Sequence, residues 1–407
     1  MMKEISGGVC AARGFSAAGV HCGVKAGSNP AKNDLALILS EKECTAAATY
    51  TMNRVKAAPL YVTMDHLENG TAWGVVANSG NANACCPMSH ENAEAMCAAA
   101  AAATGREAED FVVASTGVIG QTINISAIEQ GMPQAAAALR SDGSEQAARA
   151  IMTTDTTKKE LALSLTLGGK EVCLGAIAKG SGMIHPNMGT MLCFITTDCA
   201  ITHELLETAL REVVTKTFNR VTVDGDTSTN DMCVVLANGM AGNPLIEWKD
   251  EDYEAFQAAL AYLCRTLARA IAADGEGASK LVTCRMSGAR SEESAERLAK
   301  SVVGSSLVKA AMFGADANWG RVLCAMGYSK APFRPEHVDV IFRSEVGEIL
   351  VCRQGDAVNF DEQKAKEILS QKEVVIDVDL HEGEECAECW GCDLTYDYVK
   401  INGDYRS

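Results

Sequence analysis

Lys179-Gly180-Ser181-Gly182-Met183-Ile184-His185-Pro186-Asn187-Met188-Gly189-Thr190-Met191-Leu192-Cys193-Phe194 is the stretch on which the reading of this chain turns. Its first half cannot be regular structure, because two glycines and a proline impose turns and an extended backbone. From Thr190 onward the residues become apolar, and Met191 to Thr196 reads as a strand. A threonine hydroxyl is a poor nucleophile unless a base lies beside it. Cleavage of the preceding peptide bond would supply one, by freeing the threonine's own α-amine. Gly189 suits such a scission point, since it tolerates strained backbone at low steric cost. A threonine that opens a strand is equally an ordinary structural residue, so on the residues alone both readings stand.

Outward from this stretch, strand-like and helix-like runs alternate. Leu35 to Leu39, Phe111 to Ala114 and Val172 to Ala178 read as strands. So do Leu281 to Arg285, Val338 to Phe342, Val374 to Leu380 and Leu394 to Ile401. Ser89 reads as the N-cap of an Ala-rich helix that stops at Gly105. Thr202 reads as the cap of a second helix, with Leu205, Leu206, Ala209, Leu210, Val213 and Val214 on one face. A longer helix is expected from Asp252 to Ala272. Adjacent strands occur as well as β-then-α units, so layered α/β or α+β architecture is favoured over a purely parallel sheet. The polar stretch Asn238 to Asp252 reads as a surface connection and a candidate domain boundary.

Five polar, glycine-rich stretches interrupt the apolar runs. They are Asn78 to Asn83, Ser115-Thr116-Gly117, Lys179 to Met183, Asp224 to Asp231 and Asp274 to Gly277. One such loop is an ordinary turn, but several at strand ends mark where sites collect in layered α/β proteins. None carries a phosphate-binding or dinucleotide fingerprint.

Composition narrows the function. The chain has 407 residues, 47% hydrophobic and 22% charged, which is globular and long enough for a sizeable core. Its net charge of −17 opposes nucleic acid and anionic membrane surfaces as partners. The longest Ala-rich apolar run, Met96 to Ala103, is too short to span a bilayer, and the N-terminal residues lack a signal-peptide core. The 17 cysteines are dilute for a disulfide scaffold, and many sit in apolar runs as small hydrophobes. A reducing cytosol is the expected compartment.

The sequence closely resembles the ornithine acetyltransferase (glutamate N-acetyltransferase) family from end to end. The resemblance is carried by Lys32 to Ile38, Thr51 to Pro59, Asn78 to Ala84, Ser115 to Gly120, Met152-Thr153-Thr154-Asp155-Thr156 and Lys179 to Leu192. It continues through Phe218 to Asp231, Ala315 to Arg321 and Asp393 to Ser407. The family cuts itself before a threonine in an Asn-Met-Ala-Thr-Met-Leu context, which here reads Asn187-Met188-Gly189-Thr190-Met191-Leu192. The glycine keeps a small residue before the cut. The resemblance implies an N-terminal-nucleophile-like fold, with layered sheets sandwiched by helices and a smaller C-terminal α/β lobe at about 280–400. It also implies an α chain, 1–189, and a β chain, 190–407, assembled as an α2β2 heterotetramer.

The implied reaction is acetyl transfer from N-acetylornithine to glutamate through an acetyl-Thr190 intermediate, as part of arginine biosynthesis. No metal or bound cofactor is implied; acetyl-CoA is a second possible donor. By the same resemblance, the Thr116 hydroxyl and the Gly117 N–H form the oxyanion hole. Thr153 (or its neighbour Thr154), Lys179, Thr190, Glu276, Asn402 and Ser407 bind substrate. The chemistry is coherent, since α-carboxylates want Lys179 and hydroxyls while the ornithine ammonium wants Glu276. A self-cleaving amidase or aminopeptidase, with water as acceptor, is the nearest rival. A non-catalytic amino-acid binder is the rival from another class. Cys386-Ala387-Glu388-Cys389-Trp390-Gly391-Cys392 has metal-like spacing but no obvious fourth ligand. His185 invites a catalytic role and is given none.

Overall fold

The computed structural model describes residues 2–25, 27–185 and 191–404. They form two compact units. The first comprises Met1–Gly180, Pro186–Asn219 and Thr227–Leu267; the second comprises Ser181–His185, Arg220–Asp226 and Ala268–Ser407.

The first unit is built on nine strands: β1 (Lys3–Ile5), β2 (Phe15–Val20), β3 (Leu35–Tyr50), β4 (Thr71–Asn78), β5 (Phe111–Ser115), β6 (Lys159–Leu167), β7 (Lys170–Lys179), β8 (Leu192–Thr197) and β9 (Met232–Ala237). Hydrogen bonding links them in the order β1-β6-β7-β8-β9-β3-β4-β5, with β2 also on β3. The long strand β3 is the hinge of this arrangement. Its start pairs with the end of β4, Leu35 opposite Asn78, and its end pairs with the start of β9, Tyr50 opposite Met232. A straight strand of that length would hold those places about 50 Å apart. Yet Asn230 Nδ2, two residues before β9, donates to the Ser115 carbonyl at the end of β5, 2.9 Å away. The sheet therefore folds over at β3, where the register shifts between Leu39 and Cys44. Two leaves result, stacked face to face.

Side-chain alternation confirms the stacking. Ala36, Ile38, Val75, Ala77, Val112 and Ala114 of one leaf share a core with Ile177, Leu192, Phe194, Met232 and Val234 of the other. The intervening residues face outward on each leaf. Leu35, Leu37, Val76, Phe111 and Val113 pack under α2 (Ser89–Thr104) and α3 (Ile125–Ala137), which follow the shorter α1 (Ala58–His66). Two more helices, α4 (Ser144–Ala150) and α5 (His203–Lys216), pack against β3. Cys193 and Cys233, register partners on the other leaf, face Cys264 of α6 (Glu251–Ala273). The layers run helix, sheet, sheet, helix.

The second unit carries the six-stranded sheet β13-β12-β11-β14-β10-β15. Its strands are β10 (Leu281–Ala289), β11 (Asp339–Ser344), β12 (Gly347–Arg353), β13 (Asp356–Ala357), β14 (Glu373–Asp379) and β15 (Glu385–Cys392). Only the β10–β14 pair is parallel. One face buries Val282, Cys284, Met286, Phe342, Ile376 and Cys389 against α7 (Glu292–Gly304), α8 (Ser306–Phe313), α9 (Trp319–Gly327) and α10 (Glu362–Leu369). The opposite face is charged, with Arg285 on Glu388 at 2.9 Å and Arg343 on Asp377 at 2.7 Å. The last element is α11 (Tyr396–Gly403).

Three expectations change. The run Leu394 to Ile401 is not a strand, because α11 begins inside it. Tyr396, Tyr398, Val399 and Ile401 favour strands, but Thr395 accepts the Asp397 N–H and caps a helix instead. The Ala-rich helix is capped at Met88, whose φ is 58°, and Ser89 is its first residue. The connection Asn238 to Asp252 lies wholly inside the first unit, so it is no domain boundary. The chain changes units after Gly180, His185, Asn219, Asp226 and Leu267 instead.

Candidate active site

In the first unit the polar loops converge because the folded sheet brings strand ends from both leaves together. The end of β4 and the end of β5 lie side by side, Asn78 opposite Ser115, and the turns that follow them interlock. Thr116 N–H donates to the Asn78 carbonyl at 3.0 Å, and Ala82 N–H to the Val118 carbonyl at 3.0 Å. Asn230 joins both turns to the other leaf, donating 2.6 Å to the Ala82 carbonyl as well as to Ser115.

Gly117 could be no other residue. Its φ is 136°, and a Cβ there would come within 2.4 Å of the Gly80 carbonyl carbon. Beside it Thr116 is 8% exposed, and its hydroxyl accepts a hydrogen bond from Lys179 Nζ at 3.3 Å. Lys179 is the last residue of β7, so the contact crosses between leaves. With its lone pair engaged by an ammonium, the Thr116 hydroxyl is left to donate its proton elsewhere.

Behind Lys179 stands a buried carboxylate. Asp155 Oδ1 accepts Lys159 Nζ at 2.7 Å and Gly180 N–H at 2.8 Å, while Oδ2 accepts Thr153 N–H at 3.1 Å. Burial pushes its pKa up, but Lys179, Lys159 and the Gly180 N–H outweigh burial and hold it at about 2. Asp231, just before β9, behaves oppositely. It is 3% exposed, its Oδ2 has no hydrogen-bond partner, and burial carries its pKa well above the usual range despite Lys179, Ser228 and Thr51. Asp155 is therefore ionised at neutral pH, whereas burial favours the protonated form of Asp231.

In the second unit the segment Ser181–His185 is pinned along its length. Glu276 N–H donates to the Ser181 carbonyl at 2.9 Å, and Ser181 Oγ donates to the Asp274 carbonyl at 2.7 Å. The Asp224 carboxylate accepts Met183 N–H at 2.6 Å and Ile184 N–H at 2.9 Å. Val223 N–H reaches the Ile184 carbonyl at 2.7 Å. His185 Nδ1 lies 3.0 Å from Thr222 Oγ1, and burial, then Lys300, lowers its pKa to about 4. It stays neutral and structural. The Glu276 carboxylate lies over Gly182, where a Cβ would meet it at 2.2 Å. Asn402 Nδ2 of α11 donates to Glu276 Oε2 at 2.7 Å.

Of the residues the sequence singles out, the first unit brings Thr116, Gly117 and Lys179 together, with Thr153 tied to Lys179's neighbour Gly180 through Asp155. The second unit joins Glu276 to Asn402. Gly189, Thr190 and Ser407 lie outside the described residues. Asp155, Lys159, Asp224, Asn230 and Asp231 carry much of the local hydrogen bonding and were not singled out. For all but Lys159, the one signal in the sequence is membership of the polar runs Met152 to Thr156 and Asp224 to Asp231. The Cys386, Cys389, Cys392 spacing falls on β15. Alternation puts Cys389 on the core face and the other two on the opposite face, roughly 20 Å apart. Three thiols so placed cannot converge on one ion. No helix among the described residues is long and apolar enough to cross a membrane.

The ArgJ family model matches residues 16–407. An arginine biosynthesis bifunctional protein ArgJ of Symbiobacterium thermophilum is 52% identical over 407 residues, covering 100% of both chains. A second, ArgJ 1 of Clostridium acetobutylicum, is 49% identical over 394 residues, covering 97% of this chain and 96% of its own. A crystal structure of an arginine biosynthesis bifunctional protein argJ from Bacillus halodurans matches at 46% identity and a TM-score of 0.50, covering 52% of this chain and 97% of that one. The chain belongs to the ArgJ family, and it is an acyltransferase of arginine biosynthesis.

Proposed function

We propose that the chain cuts itself between Gly189 and Thr190 and moves an acetyl group from N-acetylornithine to glutamate. Thr190 Oγ attacks the acetyl carbonyl, its proton passing to the α-amine freed by the cut. The negative oxygen of the tetrahedral adduct takes hydrogen bonds from the Thr116 hydroxyl and Gly117 N–H. Collapse breaks the C–N bond, and ornithine's amine leaves with the proton. Glutamate's amine then attacks the acetyl-threonine ester, and the threonine hydroxyl is restored. Thr153, Lys179, Glu276, Asn402 and Ser407 hold the substrates: Lys179 and the hydroxyls serve carboxylates, and Glu276 serves ornithine's side-chain ammonium. The transfer needs no bound cofactor. Acetyl-CoA is a second donor, the mature form is an α2β2 assembly of two chains, and its place is the cytoplasm.

The observation that carries this reading is Lys179 Nζ donating to Thr116 Oγ1 at 3.3 Å beside the glycine-only turn at Gly117. That is a donor pair built into close-packed backbone and polarised by a cation. A second support is that about half of this chain, 52%, covers 97% of the Bacillus halodurans chain. That share is the one expected of a single product of the cut.

The test is intact mass of the purified protein followed by an acetyl-transfer assay. Two fragments, 1–189 and 190–407, are expected for the wild type, and one uncut chain of 43.0 kDa for Thr190→Ala. Ornithine release should require glutamate or another acceptor amine. Release at full rate into water alone would make the chain a hydrolase, and a wild type active as one unbroken chain would refute the mechanism.

A further inference from the structure

Resting on the reading that Thr153 and Lys179 bind substrate, we infer that Asp155 is a positioning residue that holds the backbones of Thr153 and of Gly180 beside Lys179 in fixed relation, and neutralises the neighbouring Lys159.

The argument begins with the hairpin. β6 and β7 are joined by Gly168-Gly169, with φ of 52° and 75°, and Lys159 at the start of β6 faces Ala178 near the end of β7. The loop before β6 therefore arrives beside Lys179 and Gly180. Asp155 sits in that loop with its side chain 0% exposed, and it spends both carboxylate oxygens on this junction. One oxygen takes Gly180 N–H, which fixes the backbone that follows Lys179. The other takes Thr153 N–H, while the Thr153 carbonyl accepts Lys32 Nζ at 2.8 Å. Thr153 is thus held at both its backbone groups, and one carboxylate links it to the Lys179 strand end.

Charge gives the second half of the argument. Lys32, Lys159 and Lys179 gather around Asp155, with Asp34 and Lys25 also acting on Lys32 and Asp231 acting with Lys179. Burial favours the uncharged form of Asp231, and Asp155 is the carboxylate that acts on both Lys159 and Lys179 and also on Lys32. It neutralises Lys159 through a direct ion pair and leaves Lys179 bonded to a neutral hydroxyl. Lys179, bonded to a hydroxyl rather than paired with a carboxylate, suits a carboxylate that arrives with substrate. Without Asp155 the Lys159 and Lys179 ammoniums would repel each other, and the Thr153 and Gly180 backbones would lose their common anchor.

The experiment measures steady-state kinetics and thermal melting of the full-length enzyme for three variants. Asp155→Asn should raise KM for N-acetylornithine and for glutamate about tenfold or more, with kcat changed less than about threefold. The double variant Asp155→Asn/Lys159→Met removes the buried pair as a unit, so its melting temperature should recover toward wild type while the high KM persists. Recovery of KM in the double variant would show that Asp155 only balances Lys159, and would overturn the inference. So would an unchanged KM in Asp155→Asn. Lys179→Met tests the underlying reading separately. If it leaves both KM values unchanged, Lys179 does not bind substrate; if it raises them while Asp155→Asn does not, only the positioning role fails.

Discussion

Two neighbouring residues show how little latitude the first unit leaves. Gly117 is required twice over, by a positive φ and by backbone atoms where a Cβ would stand. Gly117→Ala should therefore lower the melting temperature, in keeping with a strain cost of order 1–3 kcal/mol or more, and should nearly abolish turnover. Retention of normal kcat would remove the Gly117 N–H from the oxyanion site. Thr116 differs, because its hydroxyl makes the chemistry and its methyl makes the packing. Thr116→Val keeps the shape and loses the donor, so kcat should fall by about 10²–10³ with little change in melting. Equal losses of stability and rate would instead mean that the hydroxyl serves the fold. Lys179 touches Thr116 through a single bond, so Thr116→Ser, which keeps the oxygen, should restore most of the rate.

Elements show why acid should weaken this enzyme in a defined window. Asp155 closes the open end of the β6–β7 hairpin, tying the loop before β6 to Gly180 after β7. Its pKa is lowered from 3.8 to about 2, so it contributes stability that is fully present above its unfolded value and is lost as pH falls through the folded one. The shift corresponds to about 2 kcal/mol. The stability gap between wild type and Asp155→Asn, measured by denaturant titration, should be constant above about pH 5 and shrink by roughly that amount toward pH 2. A gap that does not move with pH would mean that Asp155 is not ionised in the native enzyme. Strand alternation has an equally plain consequence on β15. A sequence spacing that brings cysteines together on a helix or tight loop separates them on a strand, and the apparent Cys386–Cys392 cluster dissolves into one core thiol and two others.

At the level of the whole chain, the folded sheet of the first unit interleaves what lies before and after the proposed cut. β8 and β9 lie between β7 and β3, paired on each side through six register positions. Fragments 1–189 and 190–407 should therefore co-elute in native buffer and separate only in denaturant, at the concentration where far-UV circular dichroism is lost. Separation with the native spectrum intact would contradict the strand order. The local signals in the sequence were sufficient for part of this: apolar runs mark seven of the fifteen strands among the described residues, and the three longest helices, α2, α5 and α6, are also read from sequence. The small-residue and hydroxyl motifs around Thr116, Gly117 and Lys179 pointed to acyl transfer once their resemblance was seen. Other features could not be read locally. The helix α11 was hidden behind strand-favouring residues, because a single cap at Thr395 outweighs their propensity. The fold-over at β3, the pairing of Lys179 with Thr116 and the opposite pKa shifts of Asp155 and Asp231 depend on residues far apart in sequence. Residue type settles what a side chain can do chemically; distance, burial and neighbouring charge, which only the tertiary packing sets, decide which of those things it does.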